Sequence, residues 1–138
     1  MRVVVDTHVV VSALLTRSGP SQWIVDQVLL GAIALLVDNR ILTEYREVLT
    51  RSKFSFGPIV GGLMADRLDS LGVRVATAPW QGVLPDAGDL PFIEVARAGN
   101  AQILVTGNQR HFPVDVLAPC EVLSPAQTVA RLRAVGVV

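Results

Sequence analysis

The chain has 138 residues, half of them apolar and 17% charged, with a formal net charge of zero at neutral pH. That length can bury a proper core without staples, and the composition excludes a disordered or highly charged tail protein. Zero net charge also excludes general electrostatic attraction to nucleic acid, so any such binding needs a local patch or a metal.

The basic residues are eleven arginines and a single lysine, Lys53. Arginine is made for bidentate phosphate contacts, but a compositional bias of the source genome is the plainer account of the excess. Cys120 is the lone cysteine, which leaves no intramolecular disulfide and no cysteine zinc cluster, and it reads as a buried structural thiol. No apolar run reaches membrane-spanning length, and the chain starts in a strand rather than a signal peptide. The expectation is a cytoplasmic protein without a membrane partner.

In chain order, Val3 to Val5 form a β-branched run of the kind buried on both faces of a sheet. It ends on Asp6, Thr7 and His8. A helical stretch from Val10 follows and is closed by Gly19; a second opens at Ser21 and stops at Gly31. Ala32 to Asp38 read as another buried strand, and Ile41 to Arg51 as an amphipathic helix. The segment SFGPIVGG reads as a Gly/Pro-rich break before a helical LMADRLDSLG and a short strand VRVAT. A loop, PWQGVLPDAGDLP, leads to a helix FIEVARAGN and a strand AQILVTGN. Glu121 to Leu123 begin a last strand and helix, with Ser124 as N-cap and Pro125 in the first turn. Strands alternating with helices predict one α/β domain over residues 1–138, a three-layer sandwich with a central parallel sheet. Ligands of such sheets collect beyond the carboxyl ends of the strands, where Asp6 and Asn108 both fall.

An isolated buried carboxylate is costly unless paired, exposed or bound to a cation, so the company of Asp6 matters. On the helix from Ile41, an apolar stripe of Ile41, Leu42, Tyr45, Val48 and Leu49 leaves Glu44 at its edge and Glu47 pointing away. Pairing with Arg40 or Arg51 is the plain alternative for Glu44. Asp89 continues the face of Ile93 and Ala96, and its place before Pro91 also fits a helix cap. Asp86 reads as a turn residue after Pro85, and His111 as a surface or hydrogen-bonding residue. Thr106 and Asn108 flank Gly107 where a strand gives way to a turn. Together Asp6, Glu44, Asp89 and Asn108 would make an oxygen-rich pocket. Its carboxylates would repel one another, and a magnesium or manganese ion would relieve the repulsion.

The stretches VVVDTHVVVSALL, ILTEYREVLTRSKF and DAGDLPFIEVARAGNAQILVTGNQRHFP, in this order across nearly the whole chain, resemble the PIN domain family, and within it the VapC-like toxins of toxin–antitoxin pairs. The resemblance implies a PIN-like fold and a magnesium- or manganese-dependent ribonuclease that leaves a 5′-phosphate and a 3′-hydroxyl. It places the family's acids at Asp6, Glu44 and Asp89, as metal ligands and catalytic residues, and its fourth polar position at Asn108. Thr7, His8 and Thr106 are supporting positions. RNA contacts are expected from Arg110, with Arg17 and Arg40 as weaker candidates. The implied partners are RNA, a small antitoxin and a second copy of the chain, for which Ser21–Leu30 and Ile41–Leu49 are either the interface or core. His8 departs from the family's usual asparagine and is read as a donor to Asp6 or a neutral replacement.

Other readings of Asp6 fare worse. A phosphotransferase of the haloacid-dehalogenase type needs a second Asp where His8 stands, and a receiver domain needs a lysine after a late strand. A non-catalytic PIN-like RNA- or protein-binding module stays open, motivated by His8 and Asn108.

Overall fold

Val3, Val4 and Val5 are almost wholly buried and form the middle of the sheet. In the computed structural model, which describes residues 1–137, this strand, β1 (Arg2–Val5), pairs in parallel with β2 (Ala34–Val37) on one side and β4 (Ile103–Val105) on the other. Two further parallel strands, β3 (Val73–Arg74) and β5 (Glu121–Leu123), complete the order β3-β2-β1-β4-β5. A centre of consecutive branched apolar residues follows from covering both faces of a parallel sheet.

The connections are helical: α1 (Thr7–Leu15) and α2 (Pro20–Leu29), then α3 (Asn39–Leu49) and α4 (Gly57–Leu71), then α5 (Leu90–Ala98), α6 (Val114–Leu117) and α7 (Pro125–Ala134). Helical crossovers carry the chain outward from β1 through β2 to β3, and then back past β1 to β4 and β5. Helix α2 packs on α1, α4 and α7, and α5 packs on both α3 and α6. The expected three-layer parallel α/β arrangement is present. Strand order reverses between β1 and β4, which opens a crevice at their carboxyl ends.

Two local readings are corrected. Helix α1 starts at Thr7 rather than Val10, so Thr7 and His8 belong to its first turn. The Gly/Pro segment is no break but the start of α4. Gly57, at φ +82°, makes the turn into it, and Pro58 fits a first turn where its missing N–H is not needed. Gly61 lets α4 approach α3, since a Cβ there would lie 1.7 Å from the Leu49 carbonyl oxygen. Of the two roles left open for Ser21–Leu30 and Ile41–Leu49, core is the one that their apolar faces take: Ile24, Val25 and Val28 of α2, and Ile41, Tyr45, Val48 and Leu49 of α3, are buried. Ser124 does cap α7, through a reciprocal capping box with Gln127.

A candidate acidic active site

Asp6 and Thr106 are the first residues beyond β1 and β4, whose register pairs Val5 with Val105. The Asp6 N–H donates to the Val105 carbonyl at 2.9 Å, and the Thr106 hydroxyl donates to Asp6 Oδ2 at 2.8 Å. That hydroxyl also accepts the Asn108 N–H at 3.0 Å, so the turn after β4 and the carboxylate after β1 are fastened together. Asp6 is only 5% exposed. It occupies the N-cap position of α1 yet makes no capping bond, and no Lys or Arg pairs with it among the described residues. Its anion is therefore stabilised by one hydroxyl and the positive end of α1 alone.

Glu44 projects from α3 toward the same place. The Thr7 hydroxyl donates to its Oε2, and the alternative pairing with Arg40 or Arg51 is not formed among the described residues. Beneath it, the buried Tyr45 hydroxyl donates to the Val5 carbonyl at 2.5 Å and ties α3 to the end of β1. Burial, with Asp6 and Glu44 beside it, raises the Tyr45 phenol well above its ordinary value, so it remains a donor.

Asp89 ends a 3₁₀ turn, Ala87–Asp89, that runs into α5. The capping role expected of Asp89 is not taken up: it makes no capping bond. Asp86 caps the turn instead, accepting the Gly88 N–H at 2.8 Å. Burial first, then the charges of Asp6, Asp86 and Glu44, lift the Asp89 carboxyl to about 6, with His111 acting the other way from 3.8 Å. The loop leading there is moored by Glu94, which accepts Arg40 Nη1 at 2.7 Å and the Trp80 N–H at 2.8 Å. Burial alone would raise the Glu94 carboxyl, but these bonds bring it below its usual value.

These side chains meet in a cleft of about 390 Å³ lined by Asp6, Thr7, His8, Glu44, Val48, Arg51, Asp86, Gly88, Asp89, Asn108 and His111. All four polar positions singled out in the sequence thus face one cavity. Of the supporting residues, Thr7 holds Glu44, Thr106 holds Asp6, and His8 is exposed at the cleft wall. The donor expected of His8 is Thr106. The arginine expectations shift as well. Arg17, Arg40 and Arg110 do not line the cleft, and Arg40 is committed to Asp38 and Glu94 at 2.7 Å each. Asp86, Arg51 and His111 are the cleft residues that the sequence reading did not count. Arg51 reaches the wall from just beyond the C-cap of α3, a position that helical spacing does not assign.

A family model for the PIN domain matches residues 2–110, which include every residue just described except His111. The chain belongs to the PIN domain family. A chain of the crystal structure of VapBC2 from Rickettsia felis, bound to a DNA fragment from their promoter, shares the PIN fold with a TM-score of 0.61 and 15% identity over 90% of this chain and 98% of that one. No curated protein matches the sequence. No helix among the described residues is long and apolar enough to cross a membrane.

PIN nucleases are generally divalent-metal dependent, and the donor set of this cleft fits such an ion. Its carboxylate and amide oxygens are the ligands that magnesium and manganese prefer, and the raised Asp89 shows repulsion that a cation would relieve. The acids are not drawn together in advance: among the described residues, no three His, Cys, Asp or Glu side chains form a ready metal-binding group.

Proposed function

We propose that this PIN domain is a magnesium- or manganese-dependent ribonuclease and the toxin of a toxin–antitoxin pair. One observation carries the reading: Asp6, a buried carboxylate without a basic partner among the described residues, faces Glu44, Asp86 and Asp89 across one cleft. A cation would relieve the charge repulsion of such an arrangement, which supports a metal-binding role for it.

Asp6 and Asp89 would hold the cation, with Glu44 directly or through water, and Asn108 would offer a neutral oxygen. The bound cation supplies Lewis-acid polarisation of an RNA phosphodiester and acidification of the attacking water. The protein's own part is positioning. Thr106 holds Asp6 Oδ2 and leaves Oδ1 without a protein hydrogen bond among the described residues; Thr7 orients Glu44. The Tyr45 bond to Val5 keeps the helix bearing Glu44 in step with the strand bearing Asp6. A small antitoxin is the partner, supported by the fold shared with a chain of a VapBC2 complex.

Asp6→Asn is expected to abolish magnesium-dependent RNA cleavage while the circular-dichroism melt stays within a few degrees of wild type, and excess EDTA is expected to silence the wild type. Full activity in either case overturns the nuclease reading. Unchanged growth of cells expressing the wild type alone would remove the toxin role and leave the chemistry standing. The neutral Asn108 and the lack of a ready ligand group favour one second reading, a non-catalytic RNA- or protein-binding module. Calorimetric titration separates the two, because no manganese binding at millimolar concentration selects the module.

A further inference from the structure

We propose that Arg51, at the far end of the helix bearing Glu44, is the residue that seats an RNA phosphate in the acidic cleft. The assignment rests on the nuclease reading of the same site and names the contact that makes it accessible to a polyanion.

The electrostatics pose the problem. Four carboxylates, Asp6, Glu44, Asp86 and Asp89, line the cleft, while Arg51 is the only lysine or arginine among the lining residues. A divalent cation neutralises two of these charges, so a phosphate approaching the loaded site still meets net negative charge. A guanidinium at the wall both reduces that charge and offers paired N–H donors matched to two phosphate oxygens. His8 and His111 also line the cleft, but each is a single imidazole without that fork.

The geometry places Arg51 for this task. Glu44 and Val48, one turn apart on α3, and Arg51, just past the end of that helix, all line the cleft. Val48 is buried and anchors the face between them. Arg51 follows Thr50, the C-cap residue of α3, and its side chain is 47% exposed. Among the described residues its one ion-pair partner is Glu47, at 3.8 Å and 71% exposed. A contact that long and that solvated is readily given up to a ligand. Arg17, Arg67 and Arg110 do not line the cleft, and the remaining arginines are engaged or elsewhere. Arg40, Arg46, Arg74 and Arg131 are in ion pairs of 2.7 Å or closer, and Arg133 stacks on Trp23. Arg2 and Arg97 line a separate cavity that Ile103 and Glu121, at the amino ends of β4 and β5, also line.

The test uses full-length wild type, Arg51→Gln, Arg51→Lys, Glu47→Gln and, as a remote charge control, Arg97→Gln. Binding of a fluorescein-labelled, mixed-sequence RNA of about 20 nucleotides is followed by anisotropy across a salt series, with calcium in place of magnesium to suppress cleavage. Manganese affinity is measured by calorimetry on the same proteins. Arg51→Gln is expected to weaken RNA binding roughly tenfold, as loss of a charge-assisted bidentate contact should. It should also lower the salt slope by about one, and leave manganese affinity and melting temperature unchanged. Arg51→Lys should fall between, and Glu47→Gln should match or exceed wild type. RNA affinity in Arg51→Gln equal to that of Arg97→Gln overturns the assignment alone. An equal loss in Glu47→Gln also overturns it, because it makes the pair structural. A wild type that binds neither manganese nor RNA overturns both this assignment and the nuclease reading.

Discussion

Burial and the charges of Asp6, Asp86 and Glu44 raise the Asp89 carboxyl from 3.8 to about 6. The folded chain therefore holds that proton more tightly than the unfolded chain does. The associated stabilisation is complete below about pH 4 and is lost as pH rises through 6, the reverse of an ion-paired aspartate. In EDTA, Asp89→Asn should remove this dependence. Urea denaturation should show the variant gaining on wild type by on the order of 2 kcal/mol between pH 4 and pH 7.5. A difference that does not change with pH would show that the four acids do not interact as described. Asp6 differs in kind. Its company could be guessed from the sequence, but the hydroxyl that holds it could not be ranked, because Thr106 is 100 positions away. Only the register of β1 on β4 makes them neighbours.

Helix α4 shows how an element escapes local rules. Glycine and proline lower helix propensity, so FGPIVGG reads as a break. In the structure the proline stands in the first turn and one glycine serves contact rather than flexibility. Gly61 lies against the Leu49 carbonyl, where a Cβ would sit 1.7 Å from the oxygen, whereas Gly62 has its nearest neighbour, Thr50 Cγ2, at 3.8 Å. Gly61→Ala is therefore expected to cost at least about 2 kcal/mol by forcing α3 and α4 apart. Gly62→Ala should instead stabilise by about 0.5–1 kcal/mol through helix propensity and reduced unfolded-state entropy. Urea midpoints of the two variants give the comparison, and equal effects would contradict the packing described. The amphipathic helix carrying Glu44 was, by contrast, legible from its stripe, and α7 from its capping residues.

For the molecule as a whole, the cleft couples stability to metal. Burial of Asp6 and repulsion at Asp89 exist only in the folded state, so a cation that binds there and relieves them stabilises the fold by mass action. At one hundred times its dissociation constant the gain is about 2.7 kcal/mol. For a chain of this size that corresponds to roughly 10 °C in melting temperature. Scanning calorimetry at pH 7.5 should show this rise with manganese, a much smaller one at pH 5 where Asp89 is protonated, and none in Asp6→Asn. A rise of the same size in Asp6→Asn would place the cation elsewhere.

The sequence by itself determined the parallel α/β class, the PIN family and the four polar positions that meet in the cleft. Those properties lie in local periodicity and in motifs whose members sit close together in the chain. The tertiary structure decided what each side chain does. It gave Glu44 to Thr7, Asp6 to Thr106 and Arg40 to Glu94, withheld Asp89 from capping, and brought Arg51 and Asp86 to the cleft wall. Such pairings depend on strand register and on the approach of helices from distant segments, which residue types and spacing along one chain do not encode.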